Sequence, residues 1–194
     1  QSINLNGYTW TPIQSFSGAI NGNHHTLYNM KVLVTTDGGD YGFVKYLYGT
    51  IQNLNFSDVK IQTSNLSSAD TVMYIGAVAG CCGSSGKVLN CDVSGSSTYD
   101  VRLFKAYLGG IVGLNNGYVY DSDNSQMNVS GYAGGIVGYN QGNVEYSYAS
   151  NVTINYYWNT ANGRVGGIVG YNAETGTISR CYSSGMFNWD STSN

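Results

Sequence analysis

The sequence is short of charge, proline and histidine. Charged residues make up 10% of the 194, Pro occurs once and His twice, whereas soluble domains usually carry about a quarter charged residues. No basic run exists and the net charge is −3, which argues against nucleic acid as a partner and against a polybasic membrane-surface mode. No apolar stretch approaches the length of a membrane helix, so membrane insertion is not expected. The chain starts at Gln1 without a signal-like segment: either a signal has been removed or the chain was cut from something longer.

Chemistry-bearing motifs are scarce as well. Cys81, Cys82, Cys91 and Cys181 match no zinc spacing, and no nucleophile elbow is present. His24 and His25 are adjacent, so on a strand they point to opposite faces and make poor joint ligands. No metal, cofactor or catalytic residue is therefore expected. Asp37 and Asp40 sit in a Gly-rich turn, where turn chemistry accounts for them. Asp121 and Asp123, two apart, are expected on one side of a strand as solvated residues, with a calcium site or an acid pair as the sharper alternative.

Glycine, by contrast, is abundant at 27, and apolar residues make up 42%. A Gly-rich chain full of Val, Ile, Thr and Tyr favours many short strands joined by tight turns. The glycines are also ordered. Leu108-Gly109-Gly110-Ile111-Val112-Gly113-Leu114-Asn115 recurs as Ala133 to Asn140 and as Val165 to Asn172, with a weaker copy at Ile75 to Gly80 and a fainter one at Gly42-Phe43-Val44. Each copy leads to a second aliphatic: Ile51, Val88, Val119, Val144 or Ile178. The variable length lies after that second motif, as expected where loops leave one face of a solenoid.

Strands this short cannot stand alone, but copies stacked in parallel at about 4.8 Å can. Ile111, Ile136 and Ile168 then form one column. Val112, Val137 and Val169 form another, on the opposite side of the strand, and Val88, Val119, Val144 and Ile178 form one on the second strand. Asn115, Asn140 and Asn172 align as an amide ladder. Motif glycines supply either positive φ or close backbone approach at corners. The expected fold is all-β: a right-handed parallel β-helix of about six coils. Residues 1–39 form an N-terminal opening or capping segment, 40–187 the repeats and 188–194 a polar tail. In the same register Leu54, Cys91, Ser122, Ser147 and Cys181 share a column. Cys91 and Cys181 are three repeats apart, too far for a disulfide. A bond from Cys81 or Cys82 to Cys91 stays open, and Cys181 is expected to be a buried free thiol.

These residues resemble the GLUG motif, a repeat of bacterial cell-surface proteins and of regions in some large secreted peptidases and adhesins. The likeness spans roughly 40–187 and is strongest over 109–122, 134–147 and 166–182. Trp10-Thr11-Pro12-Ile13 and Asn21-Gly22-Asn23-His24 look like the segment that often opens such regions. The resemblance implies an extracellular β-helical region and no catalytic residue, and the low-charge, Asn/Ser/Thr-rich composition points the same way.

Eighteen tyrosines are the most suggestive feature. Tyr118 and Tyr120, Tyr146 and Tyr148, and Tyr156, Tyr157 and Trp158 cluster near the variable half. Alternating rings share a strand face, where they either stack sugar rings and meet a partner or stabilise exposed β-structure. The expected role is a non-catalytic extracellular or cell-surface adhesin module that binds a glycan or a host or cell-surface protein. The alternatives are a filament or spacer subunit that partners itself end to end and, last, a polysaccharide-degrading β-helix enzyme. Asn55, Asn65, Asn128 and Asn151 are sequons.

Overall fold

The computed structural model describes residues 1–64, 71–101, 106–125, 127–130, 132–156 and 164–189. Among these residues every regular element is a strand, every strand pairing is parallel, and the strands form sheets of fifteen, six and four. Successive repeats stack in register, which makes the chain a solenoid-like all-β structure. The six-stranded sheet runs through Ile13–Phe16, Val44–Leu47, Ala79–Cys82, Val112–Asn115, Val137–Asn140 and Val169–Asn172. The four-stranded sheet holds Met73–Gly76, Ala106–Gly109, Tyr132–Gly134 and Val165–Gly166. The largest sheet bends at two corners in each repeat and so presents three faces.

The expected columns are present. Ile20, Ile51, Val88, Val119, Val144 and Ile178 lie on successive rungs. The Ile111 N–H donates to the Ile136 carbonyl and the Ile136 N–H to that of Ile168, each at 2.9 Å. The Asn ladder is continuous: Asn115 Nδ2 donates to Asn140 Oδ1 at 2.8 Å, and Asn140 Nδ2 to Asn172 Oδ1 at 2.8 Å. Those amides also bond the backbone of the following turn, at Gly117 N and Gly142 O. This satisfies buried polar groups that would otherwise be costly.

Two expectations about the glycine motif change. Ile111 and Val112 do not point to opposite sides; both are fully buried. The motif is a corner, not a strand, and the bend between Ala106–Gly109 and Val112–Asn115 turns both side chains inward. Its glycines serve close approach rather than positive φ, which among the described glycines occurs only at Gly7, Gly38 and Gly95. A Cβ on Gly113 would lie 2.2 Å from Ile75 N, and one on Gly109 1.9 Å from the Val112 carbonyl oxygen. The outer faces of the two smaller sheets therefore meet along a seam of bare backbone.

Residues 1–39 supply the first rung of three ladders. Ile13–Phe16 pairs with Val44–Leu47, Ala19–Tyr28 with Thr50–Ser57, and Lys31–Val34 with Lys60–Thr63. Ile3–Asn4 and Thr9 pair outside that rung. Trp10 stacks on Phe43 at 5.0 Å, and its indole N–H donates to the Phe43 carbonyl. Asn188 and Trp189 complete the last strand, Tyr182–Trp189; residues 190–194 lie outside the described residues.

All four cysteines are free thiols, so neither Cys81 nor Cys82 bonds Cys91. Cys82 and Cys91 are buried, and Cys181 is only half-buried rather than fully enclosed. The register column holds, and it has a purpose. The side chains of Cys91, Ser122, Ser147 and Cys181 each donate to the carbonyl two residues back. Each such bond closes a corner whose middle residue has positive φ.

Candidate functional site

Those corners build the site. Asn53, Asn90, Asp121, Tyr146 and Arg180 occupy one position on successive rungs, all with φ between 47° and 54°. Five residues beyond the first corner of their rungs, Asn29, Asp58, Gly95 and Asn151 form a second left-handed column, with φ of 52° to 71°. Asn, Asp and Gly tolerate this region, whereas Tyr146 and Arg180 hold it at a cost. Between the two columns the largest sheet presents a narrow face only a few residues wide.

Within that face the strand alternation is strict. Leu27, Phe56, Val93, Asn124 and Ala149 point inward on successive rungs. The preceding residue points outward in each, giving the row Thr26, Asn55, Asp92, Asp123, Tyr148. The following residue gives a second row: Tyr28, Ser57, Ser94, Ser125, Ser150. Both rows line one open groove of about 430 Å³. Tyr148 closes it at one end and stacks on Tyr182, with centroids 5.2 Å apart and planes within 12°. The two rings are 38% and 60% exposed, so they form a free aromatic platform.

The carboxylates at the centre are Asp92 and Asp123, not Asp121 and Asp123. The left-handed corner turns Asp121 out to solvent, so it and Asp123 do not share a face. Asp123 instead sits one rung from Asp92, and its N–H donates to Asp92 Oδ1 at 3.3 Å. Burial first, then the charge of Asp92, pushes the Asp123 carboxyl up to about 6, although a hydrogen bond from the Tyr148 backbone acts the other way. Burial and Asp121 also raise Asp92, while its bond to the Asp123 backbone and nearby His24 oppose the rise. Asp123 Oδ1 is enclosed without a hydrogen-bond partner. Among the described residues, no three His, Cys, Asp or Glu side chains are grouped to hold a metal ion.

The tyrosines expected as a site divide among different faces. Tyr118 and Tyr120 stack at 5.7 Å on the face beside the first corner, as the alternation requires. Tyr146 does not pair with Tyr148. Its left-handed backbone carries it toward Tyr120, at 5.2 Å, where the Arg180 guanidinium lies over its ring and donates to its hydroxyl. Tyr156 lies opposite Trp189 in a strand pair; Tyr157 and Trp158 lie outside the described residues. Asn55 faces the groove, Asn151 is exposed at the second corner, and Asn128 is in register with Thr98 and Thr153. Asn65 lies outside the described residues. Asp40 is buried, accepting from Tyr74 N at 3.1 Å. His24 holds a left-handed corner, and His25 Nε2 lies 2.8 Å from the N-terminal amine.

A further group of rings was not anticipated. Tyr74, Tyr107 and Tyr132 on the four-stranded sheet meet Tyr139 and Tyr171 on the six-stranded sheet, with centroid distances of 4.8–6.2 Å. Arg164 caps Tyr171 at 3.8 Å. These half-buried rings cover the glycine seam.

The stacking corners, the glycine seam and the paired aliphatic columns are the features of one repeating unit. Residues 129–155 and 161–189 match the GLUG motif. In structure the chain is similar to a protein described as a "putative immunoglobulin A1 protease" from Bacteroides ovatus, with a TM-score of 0.60 and 20% identity over 97% of this chain and 68% of that one. At that identity the likeness is one of fold. No curated protein matches the sequence. Both matched GLUG segments pass through the seam and the narrow face, and of the groove lining they hold Tyr148 and Ser150.

Proposed function

We propose that this chain is a non-catalytic glycan-binding module of a secreted or cell-surface protein, and that the narrow face is its binding strip. The exposed Tyr148–Tyr182 platform at the end of a polar groove carries this reading. Flat rings stack on the apolar faces of sugars, and the Ser and Asp rows offer hydrogen-bond partners to sugar hydroxyls. The rungs repeat at about 4.8 Å, which suits an extended chain of similar units lying along the solenoid. The scaffold in this reading is a right-handed β-helix of about six coils, because parallel crossovers are almost always right-handed.

The thiols support a non-catalytic role. Burial pushes Cys81 to about 11 and both Cys82 and Cys91 to about 12, so none is a thiolate at neutral pH. The test is a glycan array followed by calorimetry. Wild type is expected to bind a neutral oligosaccharide, and Tyr148→Ala with Tyr182→Ala is expected to remove binding while the melting temperature stays within about 3 °C. Absence of binding across the array, or turnover of any bound glycan, overturns the reading.

One observation favours self-association as a second reading. Ile178 is 42% exposed, although its column-mates Val88, Val119 and Val144 are fully buried. An open strand edge with an apolar column beside it is a surface on which another copy can stack end to end. Light scattering across a concentration series decides: a monomer at every concentration removes it.

A further inference from the structure

The groove carries charge of one sign only. Of the residues lining it, Asp92 and Asp123 alone are charged. Asp58 and Asp121 stand in the corners on either side, and Glu145 lies one face away. The basic residues nearby are engaged or peripheral: Arg180 is bound to Tyr146, His24 sits at the first corner beside Asp92, and Lys31 and Lys60 stand with Asp58 outside the groove. A cleft lined by a single sign focuses its field and selects ligands of the opposite sign. Burial strengthens that field, because the carboxylates are partly withdrawn from water.

Resting on the glycan reading above, we infer that the strip selects glycans bearing free amino groups, such as partly deacetylated hexosamine chains, and rejects uronic or sulfated ones. Three features of the groove converge on an ammonium-bearing sugar. Asp123 lines the groove, and its enclosed Oδ1 has no hydrogen-bond partner in the protein, so the carboxylate is short of compensating donors and gains from a ligand cation beside it. Asp92 lies on the adjacent rung, so two carboxylates follow the groove axis at the spacing of the strands. Tyr148 and its stacked neighbour add an aromatic face next to Asp123, where a sugar ring stacks and its ammonium gains from the ring quadrupole. A ligand carboxylate in this place would meet only like charge.

The selection is also tied to pH. The groups that face Asp123 are Asp92, Asp121 and the Tyr148 backbone, and those that face Asp92 are Asp121, His24 and the Asp123 backbone. Burial holds both carboxyls above their ordinary range, with the charge of Asp92 adding to it at Asp123 and that of Asp121 at both, so acidification discharges the groove while leaving a sugar amine charged.

Calorimetry with three probes tests this: a glucosamine hexamer, its fully N-acetylated counterpart and a galacturonate hexamer. At about pH 6.5 the glucosamine hexamer is expected to bind roughly tenfold more tightly than the N-acetylated one, the scale of one charge-assisted bond. The galacturonate hexamer is expected not to bind. The preference should shrink several-fold at about pH 4.5, where Asp123 is largely protonated. Asp92→Asn with Asp123→Asn, isosteric changes, should abolish the preference, so that the variant binds the two hexosamine probes equally. Equal affinity for the two hexosamine probes, with loss of both in Tyr148→Ala, overturns the charge selection and leaves the glycan reading standing. Tighter binding of galacturonate overturns it too. If no oligosaccharide of any class binds, both readings fall.

Discussion

The glycine seam and the narrow face both gather tyrosines on successive rungs, yet the rings do different work. At the seam Tyr107 is touched from three directions, by Tyr74, Tyr132 and Tyr139. The backbone beneath is bare because Gly80, Gly113, Gly138 and Gly170 have no side chains to cover it. On the narrow face Tyr148 has one ring neighbour and stands beside a groove with hydroxyls and carboxylates along its floor. Ring packing against rings from two sheets is structure; a stacked pair open on its outer side is a surface for something else. The number of tyrosines says nothing about this; their partners do.

The comparison is broken most violently at the seam. Gly113→Ala places a Cβ 2.2 Å from Ile75 N and 2.5 Å from the Tyr74 carbonyl carbon. Neither atom is the end of a flexible side chain, so the sheets must separate. The expected loss is about 3 kcal/mol or more, measured as the midpoint of denaturant unfolding. A change below about 1 kcal/mol would show that the sheets do not touch there. Gly95→Ala is the contrast on the face side: its problem is a φ of 71° rather than backbone contact.

Much of this architecture was legible in the sequence, because the repeat keeps constant spacing where columns form. The Ile111–Ile136–Ile168, Val88–Val119–Val144 and Asn115–Asn140–Asn172 alignments needed only counting. The corners were not legible. Period-two alternation fails wherever the chain bends, which is why Ile111 and Val112 both enter the core and why Tyr146 and Tyr148 part company. No propensity announces positive φ at Tyr146 or Arg180; the ladder imposes it. The acid pair was a matter of register. Asp92 and Asp123 each follow, by one residue, the column of Cys91 and Ser122, so reading one position onward places them together. Pairing Asp123 with Asp121, its neighbour in sequence, hid the neighbour in space. The serine row was visible by the same count, three positions beyond that column.

A milder break separates the two tyrosine groups directly. Tyr107→Ala removes a half-buried ring with three aromatic neighbours and uncovers the seam, so stability should fall by about 2 kcal/mol, below the range for a fully buried aromatic. Tyr148→Ala should cost less than about 1 kcal/mol, since the ring is exposed outward and has one partner. Melting curves of the two variants side by side measure the difference. Equal losses would mean that the narrow-face platform belongs to the fold as much as the seam does.

The smallest effect concerns the carboxylates and sharpens the contrast by pH. Asp123 has its folded-state carboxyl pushed up to about 6, and burial is the main cause. A raised carboxyl binds its proton more tightly in the folded chain than in the unfolded one. Between about pH 4 and pH 6 the folded state therefore holds more protons, and by linkage stability declines as pH rises through that window. Above it the penalty is complete and constant. Asp123→Asn removes the charge while keeping a carbonyl oxygen to accept the Tyr148 N–H, so the variant should be more stable than wild type at neutral pH. Because the group is only partly buried, solvent screening limits the gain to about 1 kcal/mol, or a few degrees in melting temperature. At about pH 4, where Asp123 is protonated in the folded chain, the two proteins should melt together. Melting temperatures across this range for both proteins check the sign: a variant less stable than wild type at pH 7 would mean that a favourable partner, not repulsion and burial, governs Asp123.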